Sequence, residues 1–174
     1  MKIANVLLVE DAASDVRLVK EALKETGVPV QIAVARDGVE AINYLRNIEE
    51  GTAPRPDLVL LDLNLPRKNG REVLAEIKAS PSLKQIPVIV MTSSQADEDV
   101  TDAYALNANC YVTKPTDLSE YVDVVRAIED FWLFTARLPE SPGETFRERT
   151  LKQAAAMNGR PRSAAGQCPR MAVA

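Results

Sequence analysis

Short apolar runs alternate along this chain with longer stretches whose apolar residues recur every three or four positions, and this alternation constrains the fold more than any other feature. Ile3 to Val9, Val30 to Ala35, Leu58 to Leu61, Val88 to Met91 and Cys110 to Val112 have the length and β-branched content of buried strands. Between them Val16, Val19, Ala22 and Leu23, then Ala41, Ile42 and Leu45, then Val73, Leu74 and Ile77, fall at helical spacing. Two further helices are expected over 96–106 and 118–137, and Gly27, Gly38, Gly51 to Pro56, Gly70 and Pro87 stand where turns are needed. Five strands separated by helices require right-handed crossovers, which gives a parallel sheet with helices on both faces. The fold class expected is α/β, a flavodoxin-like doubly wound five-stranded sheet of order 2-1-3-4-5 with five helices.

The remaining composition narrows the function. With 174 residues, 46% of them hydrophobic, residues 1–138 can build one core. From Pro139 onward, prolines and glycines interrupt a polar, alanine-rich stretch, so 139–174 reads as a disordered tail. A net charge of -4 disfavours nucleic acid. No apolar stretch approaches the roughly 18–20 residues of a membrane span, and Met1-Lys2-Ile3 leads straight into a strand, so a cytoplasmic location is expected. Cys110 and Cys168 give no disulfide framework. With no histidine in the chain, catalysis must rest on carboxylates, hydroxyls and lysine.

Ligands of open α/β sheets bind beyond the carboxyl ends of the strands where the order reverses, here between the first and third strands. Glu10-Asp11 follows one and Asp62 the other. Three carboxylates brought together repel, so either one has a raised pKa or a cation lies among them, and hard oxygen ligands select Mg²⁺, Mn²⁺ or Ca²⁺. Thr92 ends the fourth strand and Lys114-Pro115 follows the fifth, which delivers a hydroxyl and an ammonium to the same edge. Nucleophile, metal, ammonium and hydroxyl are the parts that phosphoryl transfer needs. Each residue alone has a plainer explanation: solvated strand-end acids, a helix cap at Thr92, a loop charge at Lys114.

Taken together, the segments Leu7-Leu8-Val9-Glu10-Asp11, Asp62-Leu63-Asn64-Leu65-Pro66 with Gly70, Met91-Thr92-Ser93-Ser94 and Tyr111-Val112-Thr113-Lys114-Pro115 resemble the receiver domains of two-component response regulators. The stretches Asp62 to Gly70 and Ala127 to Leu133 are similar to the single-domain regulators that partner bacterial phytochromes. The resemblance implies a phosphoacceptor rather than a turnover enzyme, with a phosphoryl group passing from a sensor histidine kinase to Asp62. It implies Mg²⁺ held by Asp11, Asp62 and the Asn64 carbonyl, with Glu10, in place of the commoner aspartate, binding directly or through water. Lys114 would pair with the phosphoryl group, the Lys114–Pro115 bond would be cis, and Thr92 and Tyr111 would form the switch pair. Output would pass through the fourth helix to protein partners.

Two rivals share the fold and fail on the residues. Haloacid-dehalogenase-like phosphatases resemble an Asp-x-Asp-x-Thr run after the first strand, whereas here Asp-Leu-Asn follows the third; a flavin carrier's phosphate would be repelled by Glu10-Asp11. A receiver used only as an interaction module remains the other alternative. In the fifth helix Leu118, Val122, Val125, Ile128 and Trp132 make a core-facing stripe, while Phe131, Phe134 and Leu138 fall off it. A homodimer is expected on the face of the fourth helix, fifth strand and fifth helix, anchored by Phe131, Trp132 and Phe134.

Overall fold

In each central strand of the computed structural model, alternate side chains enter two different apolar layers. The structure describes residues 3–25 and 29–139. Its elements are β1 (Ala4–Val9), α1 (Ala13–Glu25), β2 (Val30–Ala35), α2 (Gly38–Glu49), β3 (Leu58–Leu61), α3 (Gly70–Ala79), β4 (Val88–Thr92), α4 (Asp97–Ala105), β5 (Cys110–Thr113) and α5 (Leu118–Glu129), the last running into a π-helical turn at Asp130–Thr135. The strands form one parallel sheet in the order β2-β1-β3-β4-β5, the order expected.

Leu7, Val9, Val59, Leu61, Val88 and Val90 pack with Ala41, Ile42 and Leu45 of α2, Val73, Leu74 and Ile77 of α3 and Ala103 of α4. Val6, Leu8, Leu58, Leu60, Ile89 and Met91 turn the other way, onto Val16, Val19, Ala22 and Leu23 of α1 and Tyr121, Val125 and Ile128 of α5. The period-two alternation of a strand thus serves both layers at once. Each fully buried leucine or isoleucine contributes about 2 kcal/mol of transfer free energy.

Local signals set the helix starts. The Asp37 carboxylate caps α2 by accepting from the Val39 and Glu40 amides at 2.8 and 2.9 Å. Asn69 and Glu72 form a reciprocal capping box at α3, with both bonds at 2.9 Å. The N-cap of α4 is Ala96, without a side-chain bond, and Ala103 is the one buried residue of that helix. It is the least anchored of the five, in keeping with its sparse apolar content.

Several boundaries and contacts differ from expectation. Ile3 precedes β1 and is exposed, and α4 is one residue shorter at each end than 96–106. The fifth helix keeps α geometry only to Glu129; a wider turn follows, in which the Ala136 amide donates to the Phe131 carbonyl at 2.7 Å. Leu118 does not join the core stripe. It directly follows the cap Asp117 and is 58% exposed, and the buried position one turn in belongs to Tyr121. Leu138 is half-buried rather than uncovered. Among the described residues every peptide bond is trans, so Lys114–Pro115 is not cis; trans is the lower-energy isomer of an X–Pro bond by about 0.5–1 kcal/mol unless packing overrides it. Apart from Pro139, the tail lies outside the described residues, as does Gly27.

Candidate functional site

Register places the chemistry. Val9 pairs with Leu61, so Glu10 and Asp62 emerge side by side, and Thr92 pairs with Thr113, which puts Lys114 beside them on the same edge. Backbone bonds hold the exits: the Asp62 amide donates to the Val9 carbonyl at 3.0 Å and the Lys114 amide to the Thr92 carbonyl at 2.7 Å. Glu10, Asp62 and Thr92 form a buried floor, while Asp11, Asn64 and Ser93 line an exposed rim.

Lys114 lies at the centre. Its Nζ donates to Glu10 Oε2 at 2.6 Å, Asp62 Oδ2 at 2.7 Å and Asp15 Oδ2 at 2.9 Å, which uses all three of its N–H groups. Burial alone would disfavour the ammonium, but the hydrogen bonds it donates to Asp62, Glu10 and Asp15 outweigh it and hold the Lys114 pKa above its ordinary value. Burial raises the pKa of Glu10, and Lys114 only partly opposes this. Asp62 is fixed from its other side, where Oδ1 accepts from the Asn64 amide at 2.9 Å. The Asn64 side-chain amide donates to Thr92 Oγ1 at 3.3 Å, so acceptor and hydroxyl are linked.

A second chain of contacts leads away from the floor. The Tyr111 hydroxyl donates to the Ser94 carbonyl at 3.0 Å, the Ser94 hydroxyl donates to Asp99, and Asp99 pairs with Arg71 at the start of α3. The loop after Thr92 is thereby tied to both α3 and α4. Tyr111 is half-buried against the α2–α3 layer.

One carboxylate oxygen from each of Glu10, Asp11 and Asp62 lies within 4.8 Å of the others. The donor set is entirely hard oxygen, it is crowded with negative charge, and its spacing suits a cation about 2.0–2.6 Å from each ligand. A divalent metal therefore fits.

The structure brings Glu10, Asp11, Asp62, Asn64, Thr92 and Lys114 together, and Tyr111 bonds the Ser94 carbonyl two residues past Thr92. Phe131, Trp132 and Phe134 lie apart, in the π-helical turn that follows α5. Phe131 and Phe134 are about half exposed, and Trp132 packs partly on the α1–α5 layer with Phe131 edge-on to it at 5.3 Å. Sequence reasoning passed over Asp15 and Arg71: their partners Lys114 and Asp99 lie 99 and 28 residues away, and no local signal marks either one.

A parallel sheet of this order carrying this edge defines a class, and the match to known families names it. Residues 6–126 match the response regulator receiver domain, and the chain belongs to that family of phosphoacceptors in two-component signalling. Among its relatives, response regulator Rcp1 of Synechocystis sp. is 50% identical over 135 residues, covering 77% of this chain and 92% of Rcp1. The crystal structure of the phosphorylated cyanobacterial phytochrome response regulator RcpA superposes with a TM-score of 0.77 at 51% identity, over 80% of this chain and all of RcpA. The Mn²⁺-bound form of Rcp1 gives a TM-score of 0.75 at 48% identity, over 79% of this chain and 99% of that one. The flavodoxin-like receiver fold is thus common to this chain and its relatives. Among the described residues no helix is long and apolar enough to cross a membrane.

Proposed function

We propose that Asp62 is the phosphoacceptor of a protein that works in the cytoplasm and that its donor is the phosphohistidine of a sensor histidine kinase. The observation that carries this reading is the Asp62 carboxylate itself: buried, held between the Lys114 ammonium and the Asn64 amide, and one of three clustered carboxylates. A carboxylate oxygen of Asp62 forms the new O–P bond while the P–N bond breaks and the imidazole leaves. Lys114 stabilises the charge spread over the phosphoryl oxygens, and the Thr92 hydroxyl, buried beside Asn64, would donate to one of them. Mg²⁺ bound by Glu10, Asp11, Asp62 and the Asn64 carbonyl would neutralise phosphoryl charge and orient the transferred group. Water attack on the same acyl phosphate, at the same site, would end the signal. Full-length protein should take up phosphoryl from acetyl phosphate only with Mg²⁺, and Asp62→Asn should lose that uptake; uptake at the normal rate with chelator present would overturn the reading.

The metal ligands should differ in weight. Asp11 is exposed at the rim and makes no bond to Lys114, whereas Glu10 is already paired with it. Asp11→Ala is therefore expected to weaken Mg²⁺ binding more than Glu10→Gln in calorimetric titration.

Transmission starts when the Thr92 hydroxyl turns from Asn64 toward the phosphoryl group. Movement of its loop pulls on Ser94, and through Ser94 on the Tyr111 hydroxyl and on Asp99 of α4, so Tyr111 follows inward. The similarity to phytochrome response regulators supports a bacterial phytochrome as the kinase. The α4-β5-α5 face is read as a homodimer surface anchored by Phe131, Trp132 and Phe134, with Tyr104 (50% exposed) and Leu118 adding apolar area. Wild type should sediment as a dimer at tens of micromolar and Phe131→Glu as a monomer, and a monomeric wild type in both phosphorylation states would end this assignment.

A further inference from the structure

We propose that Asp15 is a positioning residue for Lys114, the one carboxylate that keeps the ammonium in place through the phosphorylation cycle. The proposal rests on the reading of Lys114 as the ion-pair partner of the phosphoryl group.

Lys114 has three N–H groups and three carboxylate acceptors: Glu10, Asp62 and Asp15. Glu10 and Asp62 also belong to the cluster able to hold a metal, and Asp15 does not. An oxygen drawn toward a dication is a weaker acceptor for an ammonium. Once Asp62 carries the phosphoryl group, its remaining oxygen is a carbonyl without formal charge, and one N–H of Lys114 must swing to a phosphoryl oxygen. Both events weaken acceptors other than Asp15. Asp15 is the acceptor that neither event touches.

The local structure suits such a role. Asp15 sits in the first turn of α1, and the Ser14 hydroxyl donates to its Oδ1 at 3.2 Å, leaving Oδ2 for Lys114. The plain alternative is a solvated acid at a helix N-terminus. Against it, the Asp15 side chain is only 23% exposed and its 2.9 Å partner lies 99 residues away, on the loop after β5.

The test is a double-mutant cycle on the full-length chain, with the phosphorylation rate from acetyl phosphate at saturating Mg²⁺ and the Mg²⁺ dissociation constant as separate readouts. Asp15→Asn is expected to slow phosphorylation about tenfold, the effect of weakening one charge-assisted hydrogen bond, with Mg²⁺ affinity unchanged within about twofold and partial recovery in Asp15→Glu. In a Lys114→Ala background Asp15→Asn should add nothing, because Asp15 acts through Lys114. An unchanged rate in Asp15→Asn, or an equal loss in both backgrounds, overturns the proposal. A loss of Mg²⁺ affinity also overturns it, by moving Asp15 into the metal set. If Lys114→Ala alone phosphorylates normally, the reading of Lys114 fails first and the positioning role goes with it.

Discussion

Gly70→Ala is expected to destabilise the domain by about 3 kcal/mol and to slow phosphorylation together with it. A Cβ on Gly70 would lie 2.1 Å from the Asp62 carbonyl oxygen and 2.6 Å from Leu63 Cα. Both neighbours are backbone, so no side-chain rotation relieves the clash. The Gly70 amide also donates to the Leu63 carbonyl at 3.0 Å, which pins the start of α3 against the segment carrying the acceptor. Relief requires moving that segment, and Asp62 with it. Gly51 is the control: it has φ of +75° with open space around the position, so Gly51→Ala should cost only about 1 kcal/mol and leave phosphorylation alone. Urea denaturation of the two variants separates these outcomes, and equal midpoints would contradict the close-approach argument.

Lys114→Ala should lower the phosphorylation rate at least about 100-fold, the usual scale for removing a preorganised group that stabilises transition-state charge. It should also cost on the order of 3 kcal/mol of stability in chelator, since Glu10 and Asp62 lose the cation they share while remaining buried. The pH dependence has a defined sign. Glu10 already has a raised pKa from burial, and loss of Lys114 removes the contacts that oppose the rise. A carboxyl whose folded pKa is raised contributes stability that is fully present below its unfolded value near 4.5 and is lost as pH rises through the folded pKa. The deficit of Lys114→Ala should therefore shrink toward acid and grow toward neutrality, and Mg²⁺ should restore part of it. A variant as stable as wild type at neutral pH in chelator would show that the carboxylates are solvated rather than held.

Most of the fold was legible because two periodicities, two and about 3.6, write the buried faces directly into the chain. Leu58 to Leu61 and Val88 to Met91 are apolar throughout because both faces of those strands are covered, and they could only be central. The candidate site was legible for the same reason, since the switch point fixes which strand ends meet whatever the side-chain detail. What escaped were contacts that no local pattern carries. Asp15 reaches Lys114 and Arg71 reaches Asp99 across 99 and 28 residues, and each looks like an ordinary helix charge in sequence. Helical periodicity put Leu118 in the core, but that residue directly follows the cap and is exposed, and Tyr121 is the first side chain of α5 to join the packed layer. Nor does periodicity register the change to a wider turn at Asp130, which alters the angular spacing of Phe131, Trp132 and Phe134.

The central claim is that Asp62 carries the phosphoryl group, and the most direct measurement is borohydride trapping followed by peptide mapping. Borohydride reduces an aspartyl phosphate to homoserine and leaves ordinary carboxylates alone. Full-length protein treated with acetyl phosphate and Mg²⁺ should yield homoserine at position 62 and at no other acid, and Asp62→Asn should yield none. Homoserine at Asp11 or another carboxylate of the wild type, with Asp62 recovered intact, would contradict the account.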